Sequence, residues 1–467
     1  MSRDRKRYHF VGIGGTGMSG LASLMIAEGA TVSGSDLNES PEVATLRGAG
    51  AVIGVGHDPH HVGRPLDGVI VSSAISRDNV EIVEARRREI PVLFRLEALS
   101  AMLERYRSIG IAGTHGKSTT SAMAATILRG LRIDPSYLIG AHCPALGGNA
   151  HLGRGDWFVA EIDESDGLFV NVTPSIAVIT NIGKDHLHTY RSLGEIERAF
   201  RTYASQAGRV VLATDDPLLS KLARAIPNAF TVGLSERARL RAVGVRQRRF
   251  AMTFDLVLDG KRIAPVTLTA PGIHNVENAL CALGAAHLAG LDLVDAAEAL
   301  SAFRLPHRRF ELLEENGVTV IDDYAHLPEE IEATLRAIRS GWPSRRVVAV
   351  FQPHRYSRTR DLGREFGVAF AGADVAIVTD IYPASEPPLP GVTADVVVNA
   401  IRRQTDAQVF SIPEKPRVLA FLEENLREGD FIVSFGAGDI WTVTEELASY
   451  LIEGRFLVDG RPASILS

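Results

Sequence analysis

The stretch VGIGGTGMSG, residues 11–20, decides the fold of the first part of the chain. It ends an apolar run and then carries glycines in a G-x-G-x-x-G pattern, at Gly12, Gly14 and Gly17. An amphipathic segment follows, and the next apolar run ends at Asp36. A strand, a tight turn, a helix and a second strand in this order predict a doubly wound parallel sheet. Asp36 lies at about the distance from the turn that is expected of a ribose-binding carboxylate.

The size and composition of the chain restrict its class. Its 467 residues are enough for roughly three domains of about 150 residues each. Hydrophobic residues make up 45% and charged residues 23%, as in globular proteins that bury sizeable cores. The formal net charge of -6 argues against a protein that binds nucleic acid electrostatically.

Cysteine usage and hydropathy predict where the protein works. Cys143 and Cys281 have no metal-binding or redox spacing, which favours buried thiols in a reducing compartment. No apolar run reaches the length of a membrane span. We therefore expect a cytoplasmic protein without membrane insertion.

Alternating strand and helix patterns divide the chain into three parts. The first part ends near Arg107, and about a hundred residues hold little more than one half of a dinucleotide fold, so a nucleotide of the size of UDP fits better than NAD. In the middle part, residues 248–272 indicate antiparallel strands joined by an Asp-Gly turn at 259 and 260. We predict three α/β domains, a Rossmann-like one, a central one of the phosphate-loop type and a second Rossmann-like one. Their predicted bounds are 1–107, 108–309 and 310–467.

The stretch GTHGKSTT, residues 113–120, has the chemistry of a phosphate-binding loop. It follows an apolar strand and opens a helix, so its backbone N–H groups and the positive helix end can face phosphate oxygens. Lys117 would lie near the β- and γ-phosphates, and the Ser118 hydroxyl would reach Mg²⁺. Position 111, where the longer form of the motif has glycine, is isoleucine. A glycine-rich turn that only joins strand to helix is the open alternative.

Carboxylates and histidines follow two further strands of the middle part. Glu161 and Asp163 end one apolar run, where they suit a hard cation bound to ATP, although a solvated acidic loop would look the same. Asp185, His186 and His188 follow the end of another. The stretch HDPHH at 57–61 is interpreted as a surface loop, because no partner has the spacing of a zinc site.

The last third of the chain groups basic, acidic and aromatic residues at strand ends. The candidates there are Arg308, Arg309, Asp322, Asp323, Tyr324, His326, His354, Arg355 and Arg358. An arginine pair can clamp a phosphate, or it can simply face water. Arginines beside a histidine suit a carboxylate.

Taken together, these stretches resemble the Mur ligases from the first strand to SFGAGDIW at 434–441. The resemblance is carried by seven ordered blocks, HFVGIGGTGMSGLA, GTHGKSTT, EIDESDG, HNVENA, RRFE, DDYAH and FQPHRYSRT. It implies a first domain for UDP, a central domain for ATP and a third domain that receives an amino acid. The implied reaction ligates L-alanine to the lactyl carboxylate of UDP-N-acetylmuramate through an acyl phosphate, with ADP and phosphate as products, in peptidoglycan precursor synthesis.

The resemblance also implies site residues, all numbered in this sequence. The UDP-substrate site would comprise Gly12, Gly14, Gly15, Gly17, Asp36 and Ser72. The ATP site would comprise Gly113, Thr114, His115, Gly116, Lys117, Ser118, Thr119, His274, Asn275, Asn278, Arg309 and Asp323. Catalytic roles would fall to Lys117, Glu161, His186 and Arg309, and the metal ligands would be Ser118, Glu161 and His186. The alanine site would comprise Tyr324, His326, His354, Arg355 and Arg358.

The implied cofactors and partners are ATP with Mg²⁺ (Mn²⁺ as a substitute), UDP-N-acetylmuramate and L-alanine, in a monomer or weak homodimer that binds no nucleic acid. Ser118 stands where the family usually has threonine, Leu327 where a second histidine is usual, and His188 where aspartate is common. Three alternatives are weighed against this function. They are a Mur ligase that adds a tripeptide to the same sugar nucleotide, an NAD-dependent oxidoreductase, and a non-catalytic protein that binds a sugar nucleotide.

Overall fold

The computed structural model describes residues 5–63, 65–184, 189–455, 457–458 and 461–462. The chain divides into two compact units, each of which is described by itself. The first comprises Met1–Val245, Thr253–Thr267 and Asn275–Arg304, and the second comprises Arg246–Met252, Leu268–His274 and Leu305–Ser467.

Strands and helices alternate over most of the described residues. The strands are β1 Arg7–Val11, β2 Thr31–Asp36, β3 Val52–Val55, β4 Gly68–Val71, β5 Val92–Phe94, β6 Arg107–Ala112, β7 Ser136–Leu138, β8 Ala150–His151, β9 Trp157–Glu161, β10 Ile176–Ile179, β11 Arg209–Ala213, β12 Phe230–Gly233, β13 Leu240–Arg248, β14 Ala251–Leu258, β15 Lys261–Leu268, β16 Glu311–Asn316, β17 Val318–Asp323, β18 Val347–Phe351, β19 Val375–Val378, β20 Gln408–Ser411, β21 Phe431–Phe435, β22 Leu457–Val458 and β23 Arg461–Pro462. The helices are α1 Thr16–Ala27, α2 Pro41–Gly48, α3 Val80–Arg87, α4 Arg95–Leu103, α5 Lys117–Gly130, α6 Leu193–Gln206, α7 Pro217–Ala225, α8 Ile273–Leu288, α9 Leu293–Leu300, α10 Pro328–Gly341, α11 Tyr356–Leu362, α12 Glu365–Ala369, α13 Asp395–Gln404, α14 Lys415–Asn425 and α15 Trp441–Ile452. Short 3-10 helices cover Pro59–Val62, Pro144–Leu146 and Leu168–Asn171.

The first sheet is parallel throughout, in the order β3-β2-β1-β4-β5. The strand order reverses between β1 and β4, and ligands of open α/β sheets bind outside the carboxyl ends of the strands at such a point. The glycine turn predicted at residues 12–17 follows β1, and Ser72 follows β4. The fold therefore places both at the edge where a nucleotide would bind.

The central sheet has ten strands, in the order β15-β14-β13-β12-β11-β10-β6-β9-β7-β8. Strand β6 lies between β10 and β9 and is parallel to both, with Ile111 opposite Glu161 and Ala112 opposite Ile179. The carboxyl ends of these three strands consequently meet at one edge. The predicted hairpin of β14 and β15 is present, and its turn uses positive φ angles at Asp259 (46°) and Gly260 (81°).

The sheet of the second unit has the order β16-β17-β21-β18-β19-β20, and only β16 runs antiparallel to its neighbour. Side chains of β21 alternate between two cores, as the two-residue period of a strand requires. Phe431, Val433 and Phe435 pack on one face, in a cluster that contains Trp342, and Ile432 packs on the other. Each large apolar side chain buried in this way contributes about 1.5–3 kcal/mol.

None of the helices within the described ranges combines the length and apolar character needed to cross a bilayer.

Candidate active site

The predicted phosphate loop is shaped by the strand beside it. The loop connects β6 to α5, and Asn181, just beyond β10, accepts the His115 N–H through Oδ1 at 2.8 Å and donates to the His115 carbonyl at 3.0 Å. The Thr180 hydroxyl donates to the same carbonyl at 2.6 Å. Thr114 Oγ1 accepts the Gly183 N–H at 2.7 Å. These bonds fix the loop backbone before any ligand is present, as a site that binds phosphate through N–H groups requires.

Two glycines of the loop leave no room for a side chain. Gly113 has φ 142° and Gly116 has φ 80°, values that L-residues rarely adopt. A Cβ on Gly116 would collide with Asn278 Oδ1, and one on Gly113 would collide with Thr180 Oγ1. The sequence pattern therefore reflects both backbone geometry and close packing.

Two asparagines that are predicted to belong to the ATP site pack next to the loop and the first turn of α5. Asn275 and Asn278 are buried in α8, and Asn278 Nδ2 donates to Asn275 Oδ1 at 3.3 Å. Thr120, in the first turn of α5, donates to Asn278 Oδ1 at 3.3 Å. Their contact with nucleotide stays a prediction, but their packing already explains why the loop needs them.

Lys117 lies at the first position of α5 and points back into the loop. Its Nζ donates to the carbonyls of Gly113 at 2.6 Å and Thr114 at 3.2 Å, and it forms an ion pair with Glu164 at 2.9 Å. The exposed fractions of the two side chains are 14% and 3%. Burial would lower the pKa of Lys117, but the charges of Glu164 and the nearby carboxylates outweigh it and raise that pKa above its ordinary value. The ammonium is therefore charged and held where phosphates would approach.

Ser118 and Glu161 come together at the ends of α5 and β9. The Ser118 hydroxyl donates to Glu161 Oε1 at 3.1 Å, and the Gly140 N–H donates to Glu161 Oε2 at 2.6 Å. A hydroxyl and a carboxylate this close are the oxygen ligands that a hard cation prefers. The third predicted ligand, His186, lies outside the described residues, as do Asp185 and His188.

The glycine turn after β1 is closed by residues of β2. The Ser35 carbonyl accepts the N–H groups of Gly12 at 2.9 Å and Ile13 at 3.0 Å. The Asp36 carboxylate accepts the N–H groups of Gly14 at 2.8 Å and Asn38 at 3.2 Å. Asp36 thus orders the turn itself, which is a role that the sequence pattern does not distinguish from ribose binding.

Sequence reasoning missed an arginine beside this turn. A Cβ on Gly17 would lie 2.9 Å from a guanidinium nitrogen of Arg95, at the start of α4, and Arg95 pairs with Asp163 at 3.4 Å. Arg95 therefore links the glycine turn to the carboxylates that follow β9. The missed residues Thr180 and Asn181 also stand at a strand end. Glu164 was recognised from sequence as a carboxylate just beyond a strand, but only the sheet order brings these three residues to the loop.

The interpretation of HDPHH as a surface loop is wrong for two of its three histidines. His60 is exposed, but His61 and His57 point inward to the buried carboxylate of Glu81, at 2.6 Å and 3.2 Å. A buried charge needs such partners, because leaving it without them costs several kcal/mol. Glu81 lies 20 residues beyond His61, so the local sequence gave no sign of the contact.

In the second unit, the two adjacent arginines have different roles. Arg308 forms an ion pair with Asp322 at 2.8 Å and donates to the carbonyls of Gly436 and Gly438 at 2.6 and 3.0 Å. The Arg309 guanidinium lies 4.8 Å from the centre of the Tyr324 ring. Arg308 is therefore structural, and Arg309 is the better candidate for a phosphate.

Replacing Arg308 with methionine is expected to lower the free energy of unfolding of this unit by about 3 kcal/mol, because the buried Asp322 carboxylate loses its ion-pair partner. Arg336→Met is the matched control, because Arg336 is exposed and pairs with Glu332 one helical turn away. Its loss should stay below about 0.5 kcal/mol. Urea unfolding followed by circular dichroism measures both, and equal losses in the two variants would refute the assignment.

Asp323 ends β17 in a buried position. Its Oδ1 accepts the Ala325 N–H at 2.9 Å and its Oδ2 accepts the Thr334 hydroxyl at 2.9 Å. Burial raises the pKa of Asp323 to about 6, against the charge of Arg309. Burial also lowers the pKa of His274, in this same unit, to about 4, so His274 is neutral near pH 7. A direct contact of either residue with ATP stays a prediction.

The residues that are predicted to bind the substrate L-alanine lie together at the carboxyl edge of the second unit's sheet. Arg358 donates to His354 Nδ1 at 2.9 Å. The His354 ring lies 5.5 Å from the His326 ring, which lies 5.4 Å from the Tyr324 ring. Arg355 has a positive φ of 70°. Such strain in a non-glycine residue is concentrated at functional sites.

Known families match the chain over most of its length. The description "Mur ligase family, catalytic domain" matches residues 7–107, "Mur ligase middle domain" matches 111–286, and "Mur ligase, glutamate ligase domain" matches 308–438. These matches confirm the predicted α/β class with three domains, while the finer domain bounds stay predictions.

Individual relatives agree with these matches. A UDP-N-acetylmuramate–L-alanine ligase of Pelobacter propionicus is 43% identical over 452 residues, which is 96% of this chain and 98% of that one. One of Pelotomaculum thermopropionicum is 42% identical over 462 residues, with coverages of 97% and 99%. The crystal structure of UDP-N-acetylmuramate-alanine ligase from Thermotoga maritima has a TM-score of 0.83 at 31% identity, with coverages of 96% and 99%.

A murein peptide ligase from Psychrobacter arcticus has a TM-score of 0.68 at 24% identity over 95% of this chain and 98% of that one, a likeness that concerns the fold alone. None of these similarities favours an NAD-dependent oxidoreductase. The chain belongs to the Mur ligase family of ATP-dependent, ADP-forming amide-bond ligases.

Proposed function

We propose that this protein ligates L-alanine to the lactyl carboxylate of UDP-N-acetylmuramate, with conversion of ATP to ADP and phosphate, in peptidoglycan precursor synthesis. The observation that carries the proposal is the loop with Lys117 at its helix end and Ser118 bonded to Glu161. It is supported by relatives about 42% identical over nearly the whole chain that are named for this reaction.

The chemistry explains why such a loop is needed. A carboxylate is a poor electrophile, so its oxygen first attacks the γ-phosphorus, and the bond to the β-phosphate oxygen breaks to give an acyl phosphate and ADP. The amine of alanine then attacks the acyl carbon, loses a proton and expels phosphate. Two anions must meet in the first step, so fixed positive charge from Lys117 and the loop N–H groups stabilises the transition state.

The residues at the start of α5 and the end of β9 fit a divalent cation. Ser118 and Glu161 offer a hydroxyl and a carboxylate 3.1 Å apart, a donor set of the hard oxygen type that suits Mg²⁺ or Mn²⁺. When bound with ATP, the cation would neutralise phosphate charge. His186 is proposed as a further ligand by resemblance alone.

The second unit would bind the amino acid. Arg355 and Arg358 can grip the alanine carboxylate, and His326, His354 and Tyr324 would wall the site. Arg309 would reach the phosphates, because its neighbour Arg308 is committed to Asp322. Packing against a single methyl group discriminates by only about 1–3 kcal/mol, so the preference for alanine over glycine or serine should be graded.

The test is ADP release measured with UDP-N-acetylmuramate, Mg²⁺ and each amino acid or peptide in turn. We expect release only when both substrates are present, fastest with L-alanine, and mass spectrometry should detect the alanyl product. Equal turnover with the tripeptide would favour the ligase that adds a tripeptide instead. UDP-substrate binding without ADP release under any condition would support the non-catalytic alternative.

The proposal includes a cytoplasmic location, where ATP and the nucleotide sugar are available. It is supported by Cys143 and Cys281, which are both buried and whose spacing suggests neither a metal site nor a redox pair. A monomer or weak homodimer stays the prediction for the oligomeric state. Sedimentation at several protein concentrations measures that state directly.

A further inference from the structure

Glu81, at the start of α3, is a fully buried carboxylate surrounded by polar groups. It accepts the Ser35 hydroxyl at 2.5 Å, His61 Nδ1 at 2.6 Å and His57 Nδ1 at 3.2 Å. The Asp58 N–H adds a bond at 3.3 Å. Four groups, one from β2 and three from the segment that follows β3, therefore converge on one side chain of a helix.

The ring of His9 completes the cluster from β1. It is 1% exposed, its Nδ1 pairs with Ser33 Oγ at 2.9 Å, and its Nε2 lies 3.7 Å from Glu81 Oε1. Within the described ranges, no hydrogen-bond partner is recorded for this Nε2. Burial alone would raise the pKa of Glu81, but the imidazoles and the Ser35 hydroxyl outweigh it and lower that pKa to about 2. The carboxylate is therefore ionised.

The hydrogen bonds of this cluster surround the Glu81 carboxylate, an anion, and do not form a cation site. Nδ1 of His57 and of His61 each face a Glu81 oxygen, so the imidazoles act as donors to the carboxylate. No group of histidines, cysteines or carboxylates among the residues that the structure describes is arranged to hold a metal ion. The cluster is a hydrogen-bonded network around one buried charge.

Ser35 connects this network to the turn predicted to bind UDP. Its hydroxyl is held by Glu81, and its carbonyl accepts the N–H groups of Gly12 and Ile13. The next residue, Asp36, accepts the Gly14 N–H. The position of Ser35 therefore fixes the direction of the turn's remaining N–H groups, which would face a pyrophosphate.

We propose that Glu81 is a positioning residue for the UDP-substrate, acting through Ser35 on the glycine turn, with His57 and His61 holding its carboxylate in place. The inference rests on the proposed function, since it assigns the turn to the UDP part of the substrate. It gives His57 and His61 a role as partners of Glu81. It also predicts that a change at Glu81 weakens the binding of the UDP-substrate but not that of ATP.

The experiment measures the Kd of UDP, of UDP-N-acetylmuramate and of a non-hydrolysable ATP analogue by calorimetry, together with kcat and KM. Glu81→Gln keeps the shape of the side chain but removes its charge. We expect the Kd of UDP and the KM of UDP-N-acetylmuramate to rise about tenfold, as when a group that orients a binding residue is removed. The Kd of the ATP analogue and the kcat at saturating substrate should stay within about twofold of the original values.

Glu84→Gln is the matched control, because Glu84 lies one turn further along α3 and pairs at the surface with Arg87 and Arg88. It should change none of these constants. Gly54→Ala is a second variant that keeps the inference testable if Glu81→Gln fails to fold. A Cβ on Gly54 would lie 2.5 Å from the His61 ring and should push it from the carboxylate, which we expect to raise the same Kd about threefold.

The outcomes separate this inference from the proposed function. Unchanged UDP affinity in both variants, or an equal loss of ATP and UDP affinity, would overturn the role of Glu81 while leaving the proposed function intact. Failure of the unmodified protein to bind UDP and UDP-N-acetylmuramate would overturn the proposed function, and the inference with it. If the unmodified protein binds UDP and the ATP analogue, and the two variants lose affinity for UDP only, the result supports both the role of Glu81 and the proposed function.

Discussion

Replacing Lys117 with methionine is expected to lower the rate of ADP formation about a thousandfold, while UDP-N-acetylmuramate still binds. The ammonium is held in the loop by the carbonyls of Gly113 and Thr114, and methionine keeps an unbranched side chain of similar size without its charge. Removing one fixed donor from a developing anion typically costs a factor of 10²–10³ in kcat. Single-turnover measurement of ADP with both substrates present gives the rate, and calorimetry gives the UDP-substrate affinity.

Lys117→Met also removes the cation from the buried carboxylate of Glu164, and we expect that change alone to destabilise the first unit by about 3 kcal/mol or more. The double variant Lys117→Met/Glu164→Gln separates the two effects, because it should recover stability but not ADP formation. Lys221→Met is the control, since Lys221 pairs with Glu197 at the surface of the same unit. Recovery of turnover in the double variant would mean that Lys117 acts only through stability.

The parts of the fold that could be predicted from the sequence are those determined by residues close to one another along the chain. The glycine turns at Gly12 and Gly116 were recognised because apolar runs, glycines and amphipathic segments follow one another along the chain, and the structure has positive φ at both. Strands β1, β2 and β6 lie where the apolar runs predict them. The antiparallel strand β16 was not anticipated, because its sequence ELLEEN alternates poorly and half of its residues are acidic.

The contacts that the sequence did not predict depend on strand order. Asn181 reaches His115 across 66 residues, and Glu164 reaches Lys117 across 47, because β10, β6 and β9 are neighbours. Nothing in either local pattern indicates that neighbourhood. Glu81 is a similar case, since a glutamate in an exposed-looking segment, NVEIVEARR, is in fact fully buried. Long-range topology, not composition, selects which polar residue becomes a partner.

Replacing Glu161 with glutamine should lower kcat about a hundredfold and weaken the apparent affinity for Mg²⁺. The carboxylate is held by Ser118 and by the Gly140 N–H, so the amide of glutamine can take its place without steric change. An amide lacks the negative charge that a hard cation needs, and phosphate charge would then be less neutralised in the transition state. Initial rates of ADP formation over a series of Mg²⁺ concentrations, at saturating ATP and UDP-substrate, measure both quantities.

The choice of control decides what this result means. Asp156→Asn removes a carboxylate from the residue just before β9, at the opposite end of the strand and exposed to solvent, so it should leave the Mg²⁺ dependence unchanged. The affinity for UDP should be unchanged in both variants, since the glycine turn lies on a different sheet. If Glu161→Gln kept the original Mg²⁺ dependence, the cation would have to be held by other groups, and Glu161 would only order Ser118 and Gly140. If high Mg²⁺ restored most of the rate, the carboxylate would act by binding the cation, and a rate that stays low at saturating Mg²⁺ would instead assign it a direct electrostatic role in phosphoryl transfer.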